Sequence, residues 1–487
     1  MKNNLLFLFI FLGPFLSAQT FIEATDVPFV PVLSSASAFS DVDGDGDPDL
    51  LITGRDSVPD SVNPVTKLYI NDGAGNFTES ATAISNTHTG GFAFADVDVD
   101  GDPDVLVTGI DESINLIAKL YNNDGTGTFS EMATTPFEGV FSGSVAFADV
   151  DGDDDPDLLI TGANVSNDRI AKLYTNNDDI GLFVEADAPF AGVGLGTSIA
   201  FLDIDGNNNI DVIITGRNTL GNPSSTLYTN DGSGNFTEIT GTPFEGVVSS
   251  SIASADVNGD GHPDVLITGR NTLDVQIAKL YLNDETGNFT EVTNTPFAGV
   301  YRGSIAFSDV DGDGNPDVLI TGRNNSEVPI ANLYLNDGSG NFTEVIDTPF
   351  TGVDIGSIST SDVDGDGDSD ILITGRNNSE FPITKLYLNQ STISSNKNLD
   401  GEFNFDFSLY PNPTKSNEAK VRYISKENAL LNVKIFDLEG RLLQQQQEPV
   451  NIGEIVFFVN ISSLNKGSYI LQLNDGVRQG SRMFLIQ

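Results

Sequence analysis

The nine-residue segment DVDGDGDPD at residues 41 to 49 puts an aspartate at every second position, and it returns six times. The later copies read DVDVDGDPD at 96, DVDGDDDPD at 149, DIDGNNNID at 203, DVNGDGHPD at 256, DVDGDGNPD at 309 and DVDGDGDSD at 362. Their starts lie 55, 53, 54, 53, 53 and 53 residues apart. Self-similarity at a fixed period of this length restricts a chain to repeat architectures, because each unit buries its apolar face only against a neighbour.

One full period, residues 289 to 341, holds four short segments rich in β-branched and aromatic residues: FTEV, SIAFS, DVLIT and ANLYL. Each is bounded by Gly, Asn, Asp or Pro, the pattern of strands, and no room is left for an ordinary helix. Four strands per period, seven times over, fit a seven-bladed β-propeller better than a sandwich or an open solenoid. The phase of the chain supports closure. The first period opens with only the last-strand element FIEATDVPF at 21, and the seventh stops after KLYLN at 385 to 389. Pairing those two ends closes a ring without a free sheet edge, whereas an open superhelix needs capping repeats that the sequence lacks.

Oxygen ligands at positions 1, 3, 5 and 9 of the loop, glycine at 6 and a backbone carbonyl at 7 make the hard, flexible cage that Ca2+ takes. A divalent cation at its centre makes the crowding of like charge tolerable. The candidate ligands are Asp41, Asp43, Asp45 and Asp49 in the first loop, Asp96, Asp98, Asp100 and Asp104 in the second, and Asp149, Asp151, Asp153 and Asp157 in the third. The fourth offers Asp203, Asp205, Asn207 and Asp211, and the fifth Asp256, Asn258, Asp260 and Asp264. Asp309, Asp311, Asp313 and Asp317 follow in the sixth, and Asp362, Asp364, Asp366 and Asp370 in the seventh, for up to seven Ca2+. An EF-hand would need Glu at position 12, where this chain has Ile52, Val107, Ile160, Ile214, Ile267, Ile320 and Ile373. Asn207, Asn208 and Asn258 depart from the pattern, so the fourth loop is expected to be weakest or empty and the fifth weakened. His262, at position 7, reads as a solvent-facing passenger.

Residues 19 to 390 hold 12 Lys/Arg against 60 Asp/Glu, whereas residues 403 to 487 hold 9 against 8, so two domains meet near residue 400. A surface this acidic disfavours nucleic acid and anionic lipid as partners. Without cysteine, neither disulfides nor thiolate metal sites hold the chain. Residues 1 to 18 have the layout of a secretory signal peptide, with Lys2, an apolar core from Leu5 to Leu16 and small residues at Ser17 and Ala18. That apolar stretch is short for a membrane span, and the mature chain is expected to be exported, soluble and monomeric.

The stretch GSIAFSDVDGDGNPDVLITGR resembles the FG-GAP, or VCBS, repeat of integrin α-subunit propellers and of many exported bacterial proteins, over residues 19 to 390. The resemblance implies a seven-bladed propeller and calcium ligands at the positions named above. After a linker at 391 to 402, residues 403 to 487 read as strands of a small β-sandwich: FSLYPNPT, NVKIFDLEGRLL, NKGSYILQLNDG and RMFLIQ. They resemble the C-terminal sorting domain of type IX secretion substrates of the Bacteroidota, with Tyr410, Pro411, Asn412 and Pro413 in its opening motif and Gly467 and Tyr469 in its late one. This implies contact with the secretion machinery, then surface attachment or release.

Because strands alternate in direction, the aspartate loops share one face of a propeller with the NDGSGN hairpins, and the TGRN turns share the other. Arg55, Arg217, Arg270, Arg323 and Arg376 recur on that second face, as do Phe137, Phe190, Phe244, Phe297 and Phe350. The phenylalanines read as buried corners between blades; the arginines are candidates for a ligand face or for blade locking. With two histidines, His88 and His262, and no convergent acid, base or nucleophile outside the repeats, an enzyme is not expected. A recognition or adhesion module for an extracellular protein or polysaccharide fits best. A calcium-dependent lectin without Trp, and a secreted lyase or hydrolase, are the alternatives.

Overall fold

The computed structural model describes residues 21–56, 63–176, 181–284 and 286–390. Further on, it describes 407–410, 418–425, 429–436, 441–450, 453–462, 464, 466–474 and 479–486. The leader and linker expected at 1 to 18 and 391 to 402 lie outside the described residues. The chain divides into two compact units, Met1–Ser391 and Thr392–Gln487. Among the described residues all regular structure is β, and every strand pairing is antiparallel.

Each period of the first unit folds into four adjacent strands. In the first these are Leu33–Ser40, Asp49–Arg55, Pro64–Asn71 and Phe77–Ser80, and the same order recurs through the chain. The second strand is buried on both faces, as its unbroken apolar run DLLIT demands. The last period, with Asp370–Asn377 and Pro382–Asn389, receives its outer strand from the other end of the chain. Phe21 pairs with Asn389, Ile22 with Leu388 and Glu23 with Tyr387. First strands of successive periods lie against one another all the way round, the last against the first, so the sheets stand as a closed propeller-like ring.

Two repeated contacts lock neighbouring periods. A tyrosine of each third strand, buried to 0 or 1 % exposure, turns its hydroxyl to the segment leading into the next period. Tyr69 accepts the Val30 N–H at 2.9 Å, Tyr281 the Glu245 N–H at 3.1 Å and Tyr387 the Thr351 N–H at 2.9 Å. Around each such hydroxyl the phenylalanine corner closes: Phe244 sits 5.0 Å from Tyr281 and 4.9 Å from Phe289. Phe137, Phe190, Phe297 and Phe350 make the same triads, the last with Phe21 across the closure. The phenylalanine set therefore packs the ring, as its TPF context suggests. Tyr281→Phe is expected to cost about 1.5 kcal/mol in chemical unfolding, since the Glu245 N–H loses its acceptor while the ring packing stays.

At the start of each inner strand one residue takes a left-handed backbone: Ser34, Thr89, Ser142, Leu195, Ser249, Arg302 and Ile355, with φ between 46 and 63. None is glycine, so the conformation is held from outside. A relay of backbone bonds does this from period to period, running from Ser142 to Thr89, Ser34, Ile355, Arg302 and Ser249, with N···O distances of 2.6 to 3.2 Å.

The second unit has two sheets. One contains Phe407–Tyr410, Glu418–Ser425 and Gly453–Asn460; the other contains Leu442–Val450, Ala429–Phe436, Gly467–Asn474 and Gln479–Ile486. Val421, Phe457 and Val459 from the first sheet and Val433, Ile435, Tyr469 and Leu471 from the second share one core. Of the opening motif, Pro411, Asn412 and Pro413 lie outside the described residues.

Candidate functional site

Every aspartate loop is built by its own carboxylates. Position 1 caps the turn, Asp41 Oδ2 accepting the Gly46 N–H at 2.9 Å and Asp309 Oδ2 the Gly314 N–H at 2.9 Å. The position 5 side chain accepts the N–H of position 7, as in Asp45 with Asp47 at 2.9 Å. Asn207 does the same for Asn209 at 2.7 Å, so the fourth loop keeps its shape despite the amide. Position 9 is buried and carries two backbone donors. Asp49 accepts the Val42 N–H at 3.0 Å and the Asn71 N–H at 2.8 Å, and Asp317 accepts those of Val310 and Asn336 at 3.0 and 2.8 Å.

These turns gather negative charge. Asp41, Asp43 and Asp45 can place one carboxylate oxygen each within 4.8 Å of one another. So can Asp96, Asp98 and Asp104; Asp149, Asp151 and Asp157; Asp203, Asp205 and Asp211; and Asp309, Asp311 and Asp317. The fourth loop, read as the poorest, thus still assembles a trio. In the fifth, Asn258 Nδ2 donates to Asp260 Oδ2 at 2.8 Å, tying up the position 3 and position 5 side chains. Oδ1 of Asp43 and of Asp98 are buried with no hydrogen-bond partner, which is what an oxygen awaiting a cation should be. The donors are all hard oxygens, so the loops fit a divalent metal ion.

Electrostatics point the same way. Burial, partly offset by the two backbone donors, pushes the carboxyl of Asp49 up to about 6, and those of Asp211 and Asp264 likewise to about 6. Asp104, Asp157, Asp317 and Asp370 are pushed up to about 7, again chiefly by burial. Asp43, Asp98 and Asp311 are raised by burial and then by the neighbouring carboxylates.

Each loop is also gripped by the following period. Asn123 Nδ2 donates to the Val42 carbonyl at 2.8 Å, Asn336 to Val257 and Asn389 to Val310 at 2.8 Å, and Asn71 to Val363 at 2.9 Å across the closure. The sequence reading missed this ring; its one signal is an Asn ending every third strand. Glycines of the NDGAGN-type hairpins sit against the loops, Gly73 on Asp47 and Gly127 on Val42 and Asp43, confirming that both share a face. His262 donates its backbone N–H to Asp260, as position 7 does elsewhere, but its residue is half-buried rather than solvent-facing.

Position 4 is glycine with φ of 71 to 80 in six loops, and in the second it is Val99 at φ 57. A β-branched residue is strained there. Val99→Gly is expected to stabilise the protein by about 1 kcal/mol in denaturant unfolding.

Residues 41–107, 96–160, 203–267, 256–320 and 309–373 match the model of the FG-GAP-like repeat, together more than half of the chain. The chain belongs to the FG-GAP-like repeat family. Residues 408–487 of this FG-GAP-like protein match the secretion system C-terminal sorting domain, which marks it for type IX secretion to the cell surface or extracellular space. No curated protein matches the sequence. Among solved structures it is similar to AofleA from Arthrobotrys oligospora, at 12% identity and TM-score 0.36, covering 67% of this chain and 90% of that one. A thermostable family-43 glycoside hydrolase matches at 9% identity and TM-score 0.29, over 63% of this chain and 90% of its own. Dimeric latent PorU from Porphyromonas gingivalis matches at 14% identity and TM-score 0.16, over 77% and 36%.

On the opposite face, the arginines that end the second strands meet different fates. Asp354, fully buried, pairs with Arg323 Nε and Arg376 Nη2, each at 2.8 Å. Arg270 stacks 3.8 Å from the Tyr301 ring centroid and pairs with Asp274 at 3.2 Å. Those three lock neighbouring periods. The Nε atoms of Arg55 and Arg217 are buried without a hydrogen-bond partner.

Proposed function

We propose that this FG-GAP-like protein is an exported, calcium-binding, seven-bladed propeller that serves recognition, most directly adhesion to an extracellular protein or polysaccharide, and that it is not an enzyme. The observation that carries the reading is the contrast between its faces. The loop face repeats one metal-ready geometry. The turn face repeats only its skeleton, and its tips differ: Ile114, Val165, Leu220, Leu273, Val328 and Phe381, all exposed. Variation on a rigid frame is how scaffolds build binding surfaces. The chain enters the ring at Phe21 and leaves it at Asn389, which pair with each other on the loop face. The turn face is therefore clear of both connections.

Calcium would be held by the aspartates of positions 1, 3, 5 and 9 and would supply the charge that lets the loops stay ionised. Seven such ions fit the ring, with the fifth loop weakest because of the Asn258 and Asp260 contact. An array of glycans and matrix proteins, probed with and without chelator, tests the reading. Calcium-dependent binding to a defined ligand is the expected result; no binding across the array in calcium contradicts it.

A further inference from the structure

We propose that Arg55, with His88 and the hydroxyls of Ser34 and Thr89, forms a site on the turn face for the carboxylate of an acidic sugar. This rests on the recognition reading and names its ligand class.

What an arginine at this place meets depends on one residue of the next period, the one just before the left-handed bulge. For Arg323 that residue is Asp354 and for Arg270 it is Tyr301, and both arginines are engaged. For Arg55 it is His88. The Gly54 N–H donates to the Thr87 carbonyl at 3.1 Å, which sets Arg55 beside the buried His88. On its other side Arg55 pairs with Leu33, and the Gly375 N–H donates to the Val32 carbonyl at 3.2 Å, bringing Arg376 up beyond it. Arg55 is thus flanked by a second guanidinium and an imidazole. Its Nε is buried without a partner, and no ion pair among the described residues includes it. The acid next to it in sequence, Asp56, accepts from Asn63 Nδ2 at 2.9 Å. Burial and the charge of Arg376 both push the Arg55 guanidinium down. A buried cation so placed, in a chain of net charge −47, is an unmet demand for an anion.

The planar fork of Arg pairs best with a carboxylate. Around it stand hydroxyls and imidazole: Thr89 Oγ1 lies 2.6 Å from His88 Nδ1, and the Thr89 N–H donates to the Ser34 carbonyl at 3.2 Å. Leu33, the apolar neighbour, is fully buried and offers no surface. One fixed cation among hydroxyl groups matches one carboxylate among hydroxyl groups, which favours a uronic or sialic acid over an acidic protein side chain. Arg217 is a poorer anchor because its Nη1 already donates to the Gly221 carbonyl at 3.3 Å.

The test is titration calorimetry on the full-length, calcium-loaded protein with galacturonate, N-acetylneuraminate, galactose and Nα-acetylglutamate α-amide. An acidic sugar should bind about tenfold or more tightly than galactose and than the glutamate amide. Arg55→Met should abolish the preference for the acid. Arg55→Lys, which keeps charge and loses the fork, should lose most of it, and Lys67→Met, at a rim ion pair with Glu79, should lose none. Unfolding midpoints in calcium establish that the variants fold. Equal binding of the glutamate amide overturns the sugar assignment, and equal binding of galactose, or no effect of Arg55→Met, overturns the site. If the array finds a ligand whose binding ignores Arg55, recognition stands and this site falls; if wild type binds nothing, recognition falls.

Discussion

Chelating calcium at pH 7.5 should lower the thermal midpoint of the repeat unit by about 20 °C, and the difference should shrink towards zero near pH 4.5. If free calcium stands roughly tenfold above Kd, each loop contributes about 1.4 kcal/mol, and seven loops roughly 10 kcal/mol. For a domain of this size each kcal/mol shifts the midpoint by about 2 °C. The pH dependence follows from the position 9 carboxyls, which burial raises to about 6 in Asp49 and about 7 in Asp104, Asp157, Asp317 and Asp370. A carboxyl raised above its unfolded value of about 3.9 favours folding only while protonated. Its contribution is fully present below about pH 4 and lost as pH rises through 6 to 7, so the metal-free protein should weaken from pH 4.5 to 7.5. Bound calcium stabilises the ionised form, and the loaded protein should show the opposite slope. Differential scanning calorimetry across that range, with calcium and with chelator, checks both signs; parallel profiles would contradict the account.

Asp317→Ala should destabilise the protein by about 4 kcal/mol even without metal. The change orphans two buried donors, Val310 N–H and Asn336 N–H, each costing about 1 to 3 kcal/mol. Val310 is also the residue whose carbonyl Asn389 grips from the next period, so the loss spreads across an interface. Asp313→Ala, at exposed position 5, removes a turn bond to Asn315 and should cost under about 1 kcal/mol in chelator while weakening metal binding in that loop. Urea unfolding of the two variants with and without calcium separates scaffold from ligand. Equal losses in chelator would show that position 9 has no special structural role.

The loops were legible because their parts are local. Ligand spacing, turn glycines and the strand that follows all fall within a dozen residues, so one period of sequence states the geometry. The closing pair of Phe21 with Asn389 was legible from phase alone. The contacts between periods were not. Asn71 reaches Val363, 292 residues away, and an Asn at a strand end reads equally well as the first residue of a turn. Tyr281 shows in sequence as a strand aromatic, and its hydroxyl bond to Glu245 appears only once two periods are side by side. The arginines illustrate the limit best. Five identical TGR endings differ in role because Asp354, Tyr301, His88 or Val248 stands opposite in the neighbouring sheet, and no pattern within one period selects that residue.

The central claim is that the aspartate loops are calcium sites, and counting the ions tests it most directly. Equilibrium dialysis of the metal-stripped protein against radioactive calcium at millimolar concentration should give about six ions per chain, falling by about one for each loop whose position 1 and position 3 aspartates are changed to Ala. Binding of less than about one ion per chain, or a count indifferent to those changes, would contradict it.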